Sequence, residues 1–140
     1  MPLIFLIRFD NSWYTKAFCR LKKQPRTFAV RRIKKAELTR SRFTPDKEII
    51  SSVTPDDFLG FEKVKNVKLQ ADPLALDRLK SSPLHSAQVI RENGIVEIPA
   101  VSEEVLFPFI LSQSGNVRLL EPENLRNKLK NTLQKMLDNF

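Results

Sequence analysis

Residues 2–9 form an apolar run interrupted only by Arg8, and a turn signal, Asp10-Asn11-Ser12, follows immediately. A run this short does not make a stable helix, so the pattern predicts a buried strand whose chain reverses at once. Residues 13–20 then read as the partner strand, residues 21–25 as a loop and residues 26–33 as a third strand. A fourth strand is expected over residues 36–43, where apolar and basic residues mix. Four short strands joined by tight loops imply a small meander or barrel.

Residues 44–62 change character. They contain Pro45, Pro55 and Gly60 with acidic turn residues and no sustained apolar period, as a linker would, with one helical turn expected at 55–59. The remainder is better punctuated. Val64, Val67 and Leu69 mark a strand, and Asp72-Pro73 is an N-cap and first-turn pair that opens a helix running to Lys80. Residues 84–91 and 95–100 flank Asn93-Gly94, a hairpin signal in which both turn positions take positive φ. A helix ending at Gly115 follows, with Pro108 in its first turn or kinking it, and then a strand over 116–120. In the last helix Leu125, Leu129, Leu133, Met136, Leu137 and Phe140 form one apolar stripe. The order βαββαβ plus a terminal helix is that of a ferredoxin-like unit. The predicted class is therefore α+β: a small β-barrel, then a ferredoxin-like βαββαβ unit with a C-terminal helix.

Charge is distributed unevenly over this plan. Between Arg8 and Arg42 there are 12 Lys/Arg against Asp10 and Glu37, whereas the rest of the chain has 12 basic and 14 acidic residues. The formal +8 is thus +10 in one segment and −2 elsewhere (12 − 2 and 12 − 14). Such a surplus favours an anionic partner, either nucleic acid, nucleotide or acidic surface. Within it lie two strand-like runs, SWYTKAF and RTFAVRRI. On a strand Arg26, Phe28, Val30 and Arg32 share one face, and Thr27, Ala29, Arg31 and Ile33 the other. An apolar centre bracketed by two guanidiniums suits phosphate, because the planar fork donates two parallel hydrogen bonds. A straight strand separates those two Cα atoms by about 20 Å, so bringing the heads together needs a bend or bulge. The plainer reading is that the arginines snorkel or pair with carboxylates. In SWYTKAF, Tyr14 beside Lys16 has the chemistry to stack on a base and contact phosphate, while Trp13 more often belongs to a core.

Catalytic signals are weak. His85 is the only histidine, so no His pair or H-E-x-x-H motif exists, and in its strand-like context a structural role is the plainer one. Asp56-Asp57 and Glu103-Glu104 fit a linker turn and the first turn of a helix. With three glycines there is no phosphate-cradling loop, and the single Cys19 excludes an internal disulfide. No enzyme class and no cofactor are indicated. The opening MPLIFLIRF lacks an n-region charge and a cleavage site, and no run is long enough to span a bilayer, so a cytoplasmic protein without membrane contact is expected.

SWYT and RTFAVRRI resemble the Trp-Tyr-Leu run and the R-x-F-x-L-x-R-I strand of WYL domains, Sm-like small β-barrels of bacterial transcriptional regulators. SPLHSAQVI, GNVRLLEP and NLRNKLKNTLQKML resemble the C-terminal extension of that family, called WCX. The resemblance covers nearly the whole chain: residues 1–43 as a partial WYL-like barrel, 44–62 as a linker and 63–140 as the WCX-like extension. It implies a non-enzymatic sensor that binds nucleic acid or a nucleotide-like anion and controls a winged helix-turn-helix domain. Carried over by motif position, Tyr14, Arg26, Phe28 and Arg32 are the ligand residues, with Lys16 and Arg31 adding charge beside them. A homodimer, or a dimer with an intact WYL-type regulator through the WCX half, is the implied assembly. A non-specific single-stranded nucleic-acid module is the alternative.

Three departures stand out. Thr15 replaces the motif Leu, and Arg31 stands where the family often has Asp. Met1-Pro2 aligns inside the usual WYL module, so the DNA-reading domain and first barrel strand are expected to be absent. That would leave a sheet edge for another chain to cover, or mark a truncated regulator.

Overall fold

A computed structural model describes residues 2–44, 46–52 and 59–140. The chain divides into two compact units, Met1–Gly60 and Phe61–Phe140.

The first unit is an antiparallel meander of β1 (Leu3–Phe9), β2 (Ser12–Cys19) and β3 (Gln24–Ala29), in the order β1-β2-β3. Asp10 and Asn11 both have positive φ, 44° and 60°, and Phe9 pairs with Ser12. This is the two-residue type I′ turn, whose twist matches that of the strands and which Asp and Asn tolerate. The third strand is shorter than expected: after Ala29 the chain enters a 3-10 turn, Val30–Arg32, and does not run extended to Ile33. Residues 36–43 form no strand. They are exposed throughout, so nothing offsets the entropy of ordering them against the sheet. Among the described residues the unit is therefore an open three-stranded sheet and not a closed barrel. A short helix α1 (Lys47–Ser52) lies in the stretch expected to be linker, and the helical turn expected at 55–59 falls largely outside the described residues. The apolar core of this unit is minimal: Thr15 and Ala17 are its only buried residues among those described.

The second unit carries a real core. Its elements are β4 (Lys63–Ala71), α2 (Pro73–Ser81), β5 (Val89–Ile90), β6 (Ile95–Ser102), α3 (Glu103–Ser112), β7 (Val117–Glu121) and α4 (Glu123–Asp138). The sheet order β5-β6-β4-β7, with every neighbour antiparallel, is the ferredoxin-like arrangement. Val67 and Leu69 of β4, Val96 and Ile98 of β6, and Val117 and Leu119 of β7 are buried at alternate positions. They make one face of the sheet, and Leu79, Leu106, Leu125 and Leu129 of the helices join them in one apolar cluster. Lys68, Gln70, Glu97 and Arg118 point to the other face, where Arg91 pairs with Glu97 at 3.0 Å and Lys68 with Glu121 at 3.5 Å.

Local chemistry sets the element ends. Asp72 caps α2, its Oδ1 accepting from the Ala75 N–H at 2.8 Å, with Pro73 in the first turn. Pro108 falls at the sixth residue of α3, inside the helix, and the helix ends at Ser112, before the positive-φ pair Ser114 and Gly115. The Asn93-Gly94 hairpin differs from expectation. Only Gly94 has positive φ (75°); Gly94 N–H donates to the Arg91 carbonyl (3.2 Å) and Arg91 N–H to that of Ile95 (2.8 Å). This is a three-residue loop, a type I turn followed by a glycine bulge. Its first strand shrinks to Val89–Ile90, because the preceding residues form turns pinned by Gln88. The Gln88 amide donates to the Leu79 carbonyl at 2.9 Å and accepts from the Leu84 N–H at 3.1 Å.

Candidate functional site

The register of the first unit decides which side chains can act together. Tyr14 lies opposite Ala29, Thr15 opposite Phe28, Lys16 opposite Thr27 and Ala17 opposite Arg26. Directly paired residues point to the same face, so Tyr14 and Lys16 share a face with Thr27 and Ala29. Arg26 and Phe28 share the opposite face with Thr15, Ala17 and Trp13. The six predicted ligand residues are thus divided. Arg26 and Phe28 stand together on β3; Tyr14 and Lys16 stand back to back with them, and the Lys16 ammonium donates to the Thr27 hydroxyl at 3.1 Å. Arg31 and Arg32 are not on the strand at all. Both lie in the 3-10 turn that follows it, beside β2.

What the register assembles instead is a diagonal strip. Arg8 on β1 lies opposite Trp13 on β2. Trp13 is two residues from Thr15, the partner of Phe28, which places it diagonally from Phe28 at about 7–8 Å between Cα atoms. Arg26 stands two residues further along β3. Arg8, Trp13, Phe28 and Arg26 therefore run across one face of three strands, with Arg31 and Arg32 in the turn that continues β3. Trp13 is 48% exposed, too much for the core role its composition favours. Its membership is the part that sequence reasoning missed, and the signal that would have found it is the β2–β3 register.

The strip is positive and largely unsatisfied. Arg26, Arg31 and Arg32 are exposed and make no hydrogen bond or ion pair among the described residues. Arg8, opposite Trp13 across β1 and β2, donates to the Asn11 side chain of the β1–β2 turn. The arrangement suits an anion with a planar face: guanidiniums for phosphate, an indole and a phenyl ring for a base.

Other concavities have different chemistry. A cleft of about 380 Å³ in the first unit is lined by Leu3, Ile4, Phe18, Phe43 and Ile50 with Asp46 as its only charge, which does not suit an anion. His85 sits in a turn, not a strand, and its Nδ1 accepts from the Ala87 N–H at 3.0 Å, a structural bond. Glu103 begins α3 and pairs with Lys128 at 2.6 Å. Among the described residues no group of three or more His, Cys, Asp or Glu side chains could hold a metal, and no helix is long and apolar enough to cross a membrane.

The family models for these domains match the chain in the same order. The WYL domain model matches residues 4–38, and the WCX domain model residues 63–137, more than half the chain. The chain belongs to the WYL/WCX family. The candidate strip lies within the stretch matched by the WYL domain, and the ferredoxin-like unit spans the stretch matched by WCX. Among solved structures, proteasome accessory factor B/C (PafBC) of Arthrobacter aurescens resembles it at 21% identity and a TM-score of 0.39. That match covers 99% of this chain and 22% of the PafBC chain, so the present chain spans under a quarter of that protein's length. No curated protein sequence matches.

Proposed function

We propose that this WYL/WCX chain is the effector-sensing part of a transcriptional regulator and binds nucleic acid or a nucleotide-like anion on its WYL domain. The observation that carries this reading is the strip in which half-buried Phe28 stands between exposed Trp13 and Arg26, with Arg31 and Arg32, whose side chains have no partner among the described residues, following. Phosphate contacts by Arg26 and Arg32, with Arg8 and Arg31 adding charge, would supply affinity, and stacking on Trp13 and Phe28 would select a base-bearing ligand. Tyr14 and Lys16, on the reverse face, serve the sheet more directly than the ligand. The role is binding rather than catalysis. A ligand of this kind regulates only through different affinity for two arrangements of the regulator, which would bias DNA binding by a linked or partner domain. Dimerisation through the WCX domain belongs to the same reading.

Trp13 is the only tryptophan, so its fluorescence reports on the strip directly. Titration with a short oligothymidylate and with mono- and cyclic dinucleotides should quench it saturably. In Arg26→Ala/Arg32→Ala binding should weaken, and the slope of log K against log salt should fall by about 1.4, or roughly 0.7 for each lost phosphate contact on a single strand. Tyr14→Phe should leave binding unchanged. Wild-type affinity and slope in the double variant would refute the site. A steep salt slope with no discrimination among ligands at fixed salt would favour a general single-stranded nucleic-acid module.

A further inference from the structure

A second surface, in the WCX domain, takes no part in the proposed ligand binding. Among the described residues the sheet ends at β7, which pairs with β4 on one side only, so its other edge presents backbone groups that no described strand pairs with. A groove of about 560 Å³ runs along that edge. Val117, Arg118 and Leu119 of β7 line it, and none of the residues that line it belongs to β4, the strand paired with β7 on the other side. Leu111 of α3 and Leu129 and Leu133 of α4 form an apolar wall, and Leu133 is 41% exposed.

In this domain Lys68, Arg91 and Lys128 each pair with a glutamate and Arg78 is hydrogen-bonded to Gln113, while the side chains of Lys65, Lys80 and Lys135 make no ion pair or hydrogen bond among the described residues. The side chains of Arg118, Arg126 and Lys130 make no ion pair or hydrogen bond among the described residues, and none of the described residues that line the groove is acidic. Arg126 and Lys130 are one helical turn apart, so they stand on the same side of α4. The groove thus joins a backbone edge, an apolar wall and three cations whose side chains have no partner among the described residues.

We propose that this edge is a docking site for an extended peptide segment of a partner protein carrying both acidic and apolar side chains. The segment adds as a strand beside β7, whose five residues span about 17 Å. On the helical side its apolar side chains meet Leu129 and Leu133 and its carboxylates meet Arg126 and Lys130, while carboxylates turned to the other sheet face meet Arg118. Backbone pairing supplies affinity, and the charges supply selectivity.

The test uses the full chain and fluorescein-labelled nonapeptides of Glu, Val and Leu with Glu on both faces of the extended chain, followed by anisotropy. The acidic peptide should bind saturably, and its Lys-for-Glu counterpart about tenfold more weakly or worse. Arg126→Glu/Lys130→Glu should invert that preference, while the circular dichroism spectrum stays that of the parent. A version of the acidic peptide N-methylated at alternate residues, which cannot pair with an edge, should lose binding. The proposal is overturned by absence of saturable binding, by equal binding of the two charge types, or by undiminished binding of the N-methylated peptide. It is equally overturned if the chain self-associates and Leu133→Asp abolishes that association while the acidic peptide fails to compete, since the occupant is then a second copy. None of these readouts depends on Trp13 or on the arginines of the WYL domain, so failure here leaves the nucleotide-binding reading standing, and the reverse.

Discussion

Gly94 offers a sharp test of how the WCX domain is held together. A Cβ built there would stand 2.6 Å from the Ala71 carbonyl oxygen and 2.9 Å from the Gln70 side-chain nitrogen. The first contact is with backbone of the central strand β4, which cannot swing aside as a side chain can. The same approach is fastened by two hydrogen bonds, Ala71 N–H to the Gly94 carbonyl (2.9 Å) and the Gln70 amide to the Asn93 carbonyl (2.6 Å). In Gly94→Ala the left-handed backbone costs about 1–2 kcal/mol and relief of the overlap about 1–3 more, offset by about 0.4–1 from the less flexible unfolded chain. The expected net loss is about 1–4.5 kcal/mol. Gly115→Ala is the control: φ is +93° there, but no atom lies within 4 Å of the added methyl. It carries the backbone cost alone, about 0.5–1.5 kcal/mol net. Urea unfolding followed by helical circular dichroism reports chiefly on this domain, which holds α2, α3 and α4. A gap of about 2 kcal/mol corresponds to midpoints about 1 M apart at an m-value near 2 kcal/mol/M. Equal midpoints for the two variants would show that the β5–β6 loop does not rest on β4, and the register of the hairpin would have to be redrawn.

Three further outcomes follow from the same structure. Asp72→Ala removes the acceptor of the Ala75 N–H and should cost about 1 kcal/mol in urea unfolding, with Asp72→Ser restoring most of it. Leu69→Ala empties a fully buried position on the central strand and should cost about 2–5 kcal/mol, whereas Leu133→Ala, on the exposed part of α4, should cost much less. The Arg91 guanidinium, hydrogen-bonded to Glu97 and also acting through its charge with Lys68, holds the Glu97 carboxyl below the usual carboxylate range despite some desolvation. Since the folded value is the lower one, the pair's contribution is present above the ordinary glutamate pKa and fades as pH falls through the folded value. Carboxyl NMR titration should show the Glu97 midpoint rise in Arg91→Gln, and an unchanged midpoint would remove Arg91 as the cause.

Local signals made much of the WCX domain legible. Asp72-Pro73 starts a helix because the carboxylate and the ring act within one turn, and Val67 and Leu69 alternate inward because a strand has period two. Leu125 and Leu129 are buried as their stripe predicts, but Leu133, Met136, Leu137 and Phe140 of the same stripe stay exposed. Periodicity states which face is apolar and not how far a partner extends along it. In the WYL domain the same reasoning went astray at two points. RTFAVRRI reads as one strand, yet leaves the sheet after Ala29, and residues 36–43 make no strand, since no neighbour pairs with them among the described residues.

By itself the sequence determined the two-part division of character, the βαββαβ order with its caps and turns, and the basic surplus near the N-terminus. Each is written in neighbouring residues or in composition. Only the tertiary structure decided that Trp13, not Tyr14, shares a face with Arg26 and Phe28, that Arg31 and Arg32 lie in a turn, and that β7 is an open edge. The reason is physical: pairing between strands is a non-local choice, and a slip of one residue turns every side chain of a strand to the other face.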